Sequence, residues 1–305
     1  MKKIKILAVF LALTLIMATL SACREGEKKE TKPAPKEPTK LSEDMKITVV
    51  AGGESLLPKL PEGYKITQKD SREEVKAALL AGEQDIAVVS PTTAAELYEE
   101  SGGEILTLSP IKMGGISILY YGYDKEEMTP GDLSGRNIVT AEEGEVSQII
   151  LDQAIREDEG YSVAYKNVES QKQVADALKE YNTYALVTEP YASKIMEEDG
   201  NVKKIMDLDA FWKAKAHGDV PTGVIVTRKW KMEENQNDMK VFMKDYREAV
   251  EKDENRDKSL VFYGRTNRGD SVVREFFREV LELDKNVMGG KMPPEDMFYR
   301  MKFPT

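Results

Sequence analysis

The chain has 305 residues, with 44 Lys and Arg against 54 Asp and Glu, one cysteine and one histidine. The net charge of −10 argues against a nucleic-acid partner, because binding would have to overcome repulsion from the phosphates. The single cysteine excludes an internal disulfide, and the single histidine, His217, excludes a metal site built from several histidines. We therefore expect no cofactor and no metal ion, and a structural or solvated role for His217.

The N-terminus predicts an export signal. Residues 1–5 carry three lysines and no acid, residues 6–20 are apolar except for two threonines, and Leu20-Ser21-Ala22 then precedes Cys23. This apolar run is shorter than the about 20 residues that span a membrane, and its flanks are those of a signal peptide. The cysteine after small residues resembles the lipobox of bacterial lipoproteins, which implies cleavage before Cys23 and lipidation of its thiol. An ordinary secretion signal with an incidental cysteine is the alternative.

Residues 24–40 (REGEKKETKPAPKEPTK) have the composition of a tether. They contain three prolines, many charges of both signs and no large apolar side chain, so they cannot bury enough apolar surface to fold. We predict a signal peptide over residues 1–22 and, over residues 23–44, the lipidated Cys23 with a disordered tether. The folded part would lie outside the cytoplasm, held to the cell membrane by lipid.

From residue 45 onward, short β-rich runs alternate with runs of helical periodicity. Two helix starts are clear, because Ser71 and Glu74 form a capping box and Ser90 precedes Pro91 at a first helical position. The predicted strands span residues 46–51, 85–90, 105–108 and 184–188. The predicted helices span residues 71–81, 91–100, 190–199, 237–252 and 271–283.

Residues 71–99 and 170–198 resemble two copies of one unit. Ungapped alignment gives identities at Ser71/Ser170, Val75/Val174, Ala78/Ala177, Leu79/Leu178, Val88/Val187, Pro91/Pro190 and Glu99/Glu198. The same order of elements returns, which predicts two α/β lobes, each with a mostly parallel sheet flanked by helices. Because ligands bind beyond the carboxyl ends of such strands, the turns at residues 90–93 and 188–191 are expected to face one cleft.

Three segments resemble solute-binding proteins of ABC importers. Residues 131–138 (GDLSGRNI) resemble the start of the second lobe in these proteins. Residues 81–87 (AGEQDIA) and 188–190 (TEP) resemble segments of the nitrate/sulfonate/taurine and thiamine-precursor group. The resemblance implies the two-lobed type II periplasmic-binding-protein fold, in which two hinge strands join the lobes.

Two apolar, β-rich runs that begin with or contain glycine are the candidates for these hinge strands, residues 114–121 (GGISILYY) and 221–227 (PTGVIVT). Lobe 1 would then comprise residues 45–117 and 222–305, and lobe 2 residues 118–221. Two ordinary core strands of a single sheet are the alternative.

The ligand site is predicted to lie at four turns, residues 52–55, 90–93, 140–147 and 188–191. Glycine permits close approach of the backbone, and Ser or Thr hydroxyls either cap a helix or bind a ligand. Plain capping is the alternative for Ser90 and Thr188. The candidate ligand-binding residues are Gly52, Gly53, Glu54, Ser90, Thr92, Thr93, Gly115, Glu142, Gly144, Ser147, Thr188, Glu189 and Tyr191.

The charge of these turns favours a cationic or neutral heterocyclic ligand over a sulfonate or nitrate. The turns contain no Lys or Arg, but they contain Glu54, Glu142, Glu143, Glu145 and Glu189. The alternative is that glutamate at a helix start merely complements the helix dipole. Phosphonate or phosphite binding also stays open, because hydroxyls at the start of the second helix would suit an oxyanion.

The resemblance implies a lipid-anchored, extracytoplasmic protein that closes over a small organic solute and delivers it to a permease and an ATPase. It implies a monomer with no catalytic residue. The chain has no G-x-x-x-x-G-K-[ST] sequence, so the ATPase would be another chain. A surface sensor or adhesin lipoprotein with the same fold is the first alternative, and an enzyme on that fold is the second.

Overall fold

The computed structural model describes residues 40–50, 57–122, 128–141, 145–180, 183–215, 217–252, 260–261 and 268–299. Several predictions fall outside these residues and stay predictions. They concern Cys23, Gly52, Gly53, Glu54, Glu142, Glu143 and Gly144.

The strands of the described residues belong to two sheets of five strands each. In chain order they are β1 (Met45–Val50), β2 (Tyr64–Lys69), β3 (Ile86–Val89), β4 (Ile105–Met113), β5 (Ile116–Tyr121), β6 (Asn137–Thr140), β7 (Ala164–Asn167), β8 (Thr183–Thr188), β9 (Val202–Asp207) and β10 (Pro221–Arg228).

Helices flank both sheets. The α-helices are α1 (Arg72–Leu80), α2 (Pro91–Glu100), α3 (Val146–Glu157), α4 (Gln171–Ala177), α5 (Tyr191–Glu198), α6 (Leu208–Ala214), α7 (Lys229–Glu234), α8 (Gln236–Lys252) and α9 (Arg268–Leu283). Short 3-10 turns cover Pro130–Leu133, Val287–Gly290 and Glu295–Met297. Among the described residues, no helix is both long and apolar enough to span a bilayer.

The two sheets have the same topology. The strand order is β2-β1-β3-β10-β4 in the first sheet and β7-β6-β8-β5-β9 in the second. In each sheet three strands pair in parallel, and β10 or β5 then runs antiparallel to both of its neighbours. All strands but one therefore run in the same direction in each sheet. The predicted two-lobed α/β fold with mostly parallel sheets is confirmed, and we call the parts built on the first and second sheets lobe 1 and lobe 2.

The internal repeat corresponds to this shared topology. Its two copies form α1-β3-α2 in lobe 1 and α4-β8-α5 in lobe 2, and β3 and β8 hold the same central position. The predicted caps are present in both copies. The Ser71 side chain accepts a hydrogen bond from the backbone N–H of Glu74 at 3.3 Å, and Ser170 accepts one from Gln173 at 3.4 Å. The same local sequence therefore starts α1 and α4 in the same way.

The chain crosses between the lobes at two neighbouring points. The first crossing is Gly114-Gly115, which joins β4 of the first sheet to β5 of the second. The second lies between α6 and β10, where the chain returns to the first sheet. The first crossing is therefore the start of the predicted run 114–121, and the second directly precedes the predicted run 221–227. The remainder of each run is a core strand of one sheet.

Hydrogen bonds hold the two crossings side by side. The Gly114 N–H donates to the Val220 carbonyl at 2.7 Å, and the Thr222 hydroxyl donates to the Gly114 carbonyl at 2.7 Å. The Gly115 N–H donates to the carboxylate of Asp209 on α6. Gly114 and Gly115 have φ angles of +61° and +86°, a left-handed region that favours glycine.

The largest apolar cluster of the described residues is shared by both lobes. It includes Val89 from β3, Leu186 from β8 and Phe277 from α9. A second cluster packs β1, β3 and β10 against α8 through Phe242, and a third lies in lobe 2 around Tyr191. The helix α9 packs on β4 and β10 and also meets α3 of lobe 2, so the lobes meet through apolar surface as well as through the crossings.

The chain is fastened to lobe 1 just before β1. The backbone N–H and hydroxyl of Ser42 donate to the Asp238 carboxylate at 2.9 and 2.5 Å. The Lys231 ammonium, only 3% exposed, lies 2.8 Å from Glu43 and 3.1 Å from Asp85. Contacts with lobe 1 therefore begin within residues 41–44, the part of the chain predicted as the end of the tether.

One strand differs in length from its prediction. The sequence predicts a strand over residues 105–108, but β4 continues to Met113. Proline cannot donate to a ladder, and the pairing of β4 with β10 shifts register near Pro110, between Gly223 and Val224. The long strand tolerates the proline because this ladder is irregular.

Candidate functional site

A cavity of about 120 Å³ lies between the two lobes, at the carboxyl ends of β3 and β8. Lobe 1 contributes Arg72 of α1, Lys112 of β4 and the β3–α2 turn, and lobe 2 contributes the equivalent β8–α5 turn and the start of α3. Six of the candidate residues predicted from the sequence lie in its wall, namely Ser90, Thr93, Ser147, Thr188, Glu189 and Tyr191.

The lobe 1 side of the cavity is a group of hydroxyls at the start of α2. The Ser90 hydroxyl accepts a hydrogen bond from the Thr93 backbone N–H at 3.1 Å, so Ser90 is the N-cap of α2. The same hydroxyl lies 3.0 Å from the hydroxyls of Thr92 and Thr93. Thr92 and Thr93 are both almost fully buried. Ser90 therefore caps the helix and also orders a cluster of three hydroxyls.

Glu145 of lobe 2 reaches across to this cluster. Thr92 Oγ1 donates to Glu145 Oε2 at 3.0 Å, and Thr93 Oγ1 donates to Oε1 at 2.8 Å. Arg72 Nη1 donates to Oε1 at 3.2 Å. Glu145 is the N-cap residue of α3, but its side chain makes no hydrogen bond to that helix. Its carboxylate thus joins lobe 2 to α1 and α2 of lobe 1.

Two basic side chains line the cavity, which the turn sequences did not indicate. Burial lowers the pKa of the Arg72 guanidinium, but the carboxylates of Glu145, Glu96 and Glu73 outweigh this and raise it, so Arg72 stays charged. Lys112 is 1% exposed. The cavity wall therefore carries basic as well as acidic side chains, because Arg72 and Lys112 lie outside the four predicted turns.

The lobe 2 side of the cavity is built by the β8–α5 turn. Thr188 pairs with Ile116 of β5 at the end of the ladder. Glu189 Oε2 accepts a hydrogen bond from the Ser193 backbone N–H at 3.0 Å, so its carboxylate serves the first turn of α5. Tyr191 is 8% exposed and packs into the apolar cluster of lobe 2. Glu189 differs from Glu145 in that its carboxylate bonds within its own lobe.

Two predicted site residues have a different position. Gly115 is in the first crossing, where its carbonyl accepts a hydrogen bond from the Glu189 N–H at 2.8 Å. A side chain at Gly115 would lie 3.1 Å from Glu189 Cβ, so this glycine allows the β8–α5 turn to approach. Thr92 is not part of the cavity wall, and its hydroxyl donates to the carboxylate of Glu145, which is.

His217 lies at the second crossing and not in the cavity wall. Its Nδ1 is 2.5 Å from Glu279 of α9, and its Nε2 is 2.6 Å from Glu157 of α3. The ring stacks on Trp212 at 3.8 Å between ring centroids. Both neighbours of the ring nitrogens are carboxylates, so His217 has the structural role expected of it.

The described residues contain no cluster of three or more His, Cys, Asp or Glu side chains suited to hold a metal ion.

The family model described as NMT1/THI5 like matches residues 64–253, well over half of the chain. The chain belongs to the NMT1/THI5-like family. The match covers β2 through α8 and so includes both turns that form the cavity.

Several solved structures have the same fold as this NMT1/THI5-like chain. The ligand-binding component of an ABC-type import system from Staphylococcus aureus, with zinc bound, is 16% identical, with a TM-score of 0.62, covering 85% of this chain and 96% of that one. An ABC transporter from Parabacteroides distasonis is 14% identical, with a TM-score of 0.55, covering 85% and 99%. The periplasmic aliphatic sulphonate binding protein SsuA from Escherichia coli is 15% identical, with a TM-score of 0.50, covering 82% and 75%. No curated protein matches the chain by sequence.

A wider groove adjoins the cavity of this NMT1/THI5-like protein. It measures about 1120 Å³ and shares Glu169, Ser170, Gln171 and Tyr191 with the cavity wall. The rest of its lining comes mainly from charged and polar side chains of the α1, α4 and α5 region. A polar solute could therefore reach the cavity along this groove.

Three charged side chains of the cavity wall were missing from the site list predicted from the sequence. Arg72 directly follows the Ser71 cap, so it sits at the carboxyl end of β2 and could have been placed at the cleft edge. Lys112 is a lysine in an apolar strand, which is a signal in itself because buried lysines are rare. Glu145 was noticed only for its charge. Its partners Thr92 and Thr93 lie 53 and 52 positions earlier in the chain, and no local sequence pattern indicates such a distant bond.

Proposed function

We propose that the chain is the solute-binding component of an ABC importer, which binds a small organic solute between its lobes and delivers it to a permease and an ATPase. One observation carries this proposal. The β3–α2 turn and the equivalent β8–α5 turn form opposite walls of a single cavity. Ligands of open α/β sheets bind beyond the carboxyl ends of the strands, and here two such edges face each other.

The two crossings fit a clamp that opens and closes. Hinge motion needs a few residues that take up the change in backbone angles, and Gly114-Gly115 and the α6–β10 connection are the only links between the sheets along the described chain. Both lie on the same side of the molecule, since Gly114 bonds to Val220. The candidate ligand-binding residues are those of the cavity wall, together with the predicted residues 52–54, 142 and 144.

The cavity constrains the size of the solute. Its volume of about 120 Å³ is below the roughly 300–1,000 Å³ of pockets for drug-sized ligands. With the lobes in this position, it admits a solute of only a few heavy atoms, and a larger one would need the lobes to move apart. The solutes to be tested first are those of the nitrate/sulfonate/taurine and thiamine-precursor group, which the sequence resembles.

Thermal unfolding in the presence of candidate solutes tests the binding function. The full chain, purified in detergent, is mixed with nitrate, taurine, other sulfonates, phosphonates, thiamine and its pyrimidine precursors, riboflavin and polyamines. A solute at about 100 times its Kd adds roughly 2.7 kcal/mol of stability, or about 5–11 °C at 2–4 °C per kcal/mol. Turnover of a solute, or no shift with any of them, would contradict the proposal.

Two buried serines offer a matched control for any solute found. Ser147 and Ser117 are each 1% exposed, but only Ser147 lines the cavity. Ser147→Ala should weaken the shift caused by the solute, whereas Ser117→Ala should lower the unfolding temperature without changing that shift. Equal effects of the two variants on the shift would show that the solute binds elsewhere.

The proposal places the protein outside the cytoplasm, with lipid on Cys23. The apolar run before Cys23 and the charged, proline-rich residues after it support this anchor. Mass spectrometry of the N-terminal peptide from membranes should find a lipid-modified cysteine as its first residue. Cys23→Ser should move the protein out of the membrane fraction, and a variant that stays there would contradict lipid anchoring.

A further inference from the structure

The wall of the cavity includes the carboxylate of Glu145, which is bonded to donors of the opposite lobe. We propose, building on the solute-binding function above, that Glu145 is a specificity-determining residue. Its carboxylate fills the position at the start of α2 where an oxyanion would otherwise bind. The cavity then takes solutes that are neutral or positively charged at this end, and it rejects sulfonates, phosphonates and sulfate.

The donors around Glu145 are those that bind oxyanions. Thr92 and Thr93 donate one hydroxyl each, and Arg72 donates from its guanidinium, at 2.8–3.2 Å. Together they engage both carboxylate oxygens. Hydrogen bonds to a charged acceptor are stronger than neutral ones, so a free anion would find strong partners here only if Glu145 moved away.

A free anion competes poorly with this carboxylate. Glu145 is fixed on the same chain and therefore acts at a high effective concentration. Its side chain is 12% exposed and that of Arg72 is 28% exposed. An oxyanion that entered would have to separate this pair and leave two carboxylate oxygens without their donors, while gaining only the bonds that Glu145 had lost.

Helix capping does not account for the position of Glu145. It stands at the N-cap of α3, where Ser, Thr, Asp and Asn are preferred, and its side chain does not bond to that helix. Glu189 supplies the contrast, since its carboxylate accepts from Ser193 in its own helix. Of these two glutamates in the cavity wall, only Glu145 has a carboxylate that bonds across to α1 and α2.

The other basic group of the cavity is set apart from this position. Lys112 lies on β4, and β10 separates β4 from β3, the strand that leads into Ser90. The acidic side chains in the described wall besides Glu145 are Glu169 and Glu189. With Arg72 paired to Glu145, the α2 end of the cavity is already neutralised, which favours a solute group without negative charge there.

The test removes the Glu145 carboxylate and measures whether its hydrogen-bond donors then bind a simple added anion. We would titrate sodium sulfate and sodium ethanesulfonate into the full chain in detergent by calorimetry, at constant ionic strength set with chloride. The variant Glu145→Ser removes the carboxylate and gives α3 a preferred cap residue, which guards its folding. It should bind these anions at least about tenfold more tightly than the wild type, the factor expected of one charge-assisted hydrogen bond.

Two further variants separate the donors from general charge. Glu189→Gln removes one negative charge from the same cavity without uncovering the donors, and it should not gain anion binding. Glu145→Ser combined with Thr93→Val should lose the binding that Glu145→Ser gains. Circular dichroism and the urea midpoint establish that each variant is folded.

Three results would overturn the role of Glu145. They are saturable binding of sulfate or ethanesulfonate by the wild type, no gain in folded Glu145→Ser, or an equal gain in Glu189→Gln. A sulfonate that binds the wild type would preserve the solute-binding function and remove only this specificity. Conversely, a solute panel without any binder would contradict the solute-binding function, whatever the anion titration gives.

Discussion

The two crossings between the lobes are held in different ways. The first is a pair of glycines fixed by backbone angles and by the Asp209 carboxylate, with no room for a side chain. The second is held by side chains, since the His217 ring lies between two carboxylates and against an aromatic ring. The first crossing is therefore sensitive to shape, and the second to charge and pH.

The second crossing also joins the two lobes through the side chains around His217. Glu157 belongs to α3 of lobe 2, and Glu279 belongs to α9, which packs on β4 and β10 of lobe 1. The imidazole ring thus links the two lobes beside the point where the chain returns.

The largest effect is expected from Gly114→Ala in the first crossing. The new Cβ would lie 2.7 Å from Asp209 Cγ, at a φ of +61°. The left-handed backbone alone costs about 1 kcal/mol and the clash adds roughly 1–3 kcal/mol. Urea unfolding should therefore show a loss of about 2–4 kcal/mol.

Gly102→Ala is the matched control for this change. Gly102 has a φ of +64°, and a Cβ there meets no atom within 4 Å, so it isolates the backbone strain of about 1 kcal/mol. Equal losses in the two variants would show that Asp209 moves away freely and that the first crossing is not sterically fixed.

A smaller loss is expected from Asp209→Ala. Burial raises the pKa of the Asp209 carboxyl, while the backbone N–H groups of Gly115 and Ile116 oppose that rise. Removing the side chain leaves buried N–H groups without their acceptor, which costs about 1–3 kcal/mol. Asp209→Asn keeps an acceptor oxygen and should lose less. Stability of the alanine variant equal to that of the asparagine variant would contradict this account.

The smallest effect is expected at the second crossing, from His217→Gln under acid. Burial raises the pKa of Glu157, but hydrogen bonds from Gln153 and His217 and the charges of His217 and Lys215 hold it below its ordinary value of 4.5. A carboxyl with a lowered pKa contributes stability above its unfolded value, and that contribution is lost as the pH falls toward the folded value. The wild type should therefore lose part of its stability below about pH 4.5.

In His217→Gln this acid loss should be shallower, because the glutamine keeps a hydrogen-bond donor but no charge. The measurement is the free energy of unfolding in urea from pH 7 to pH 3 for both proteins. Parallel curves would show that the pair of Glu157 with His217 adds nothing to the stability of the folded state. Gln153→Ala removes a neutral partner of the same carboxyl and serves as the control.

Local chemistry explains which parts of the fold were predictable. The caps at Ser71, Ser90 and Ser170 and the bounds of α2 follow from signals within four residues, and the repeat led to two equivalent sheets. Glu145 could not be assigned in this way. Its partners come from another lobe, and the nearest of them is 52 residues away in the chain. His217 likewise finds its carboxylates 60 and 62 residues away.

The fastening of the chain ahead of β1 has a mechanical consequence for a protein anchored through Cys23. Any pull along the tether reaches Asp238 and Lys231, both of which belong to helices packed with lobe 1. Lobe 2 receives that force only through the two crossings and the lobe–lobe contacts. Under the proposed lipid anchor and clamp function, lobe 1 would stay in place and lobe 2 would move at each closure. The permease would then meet one fixed face and one face whose position depends on whether a solute is bound.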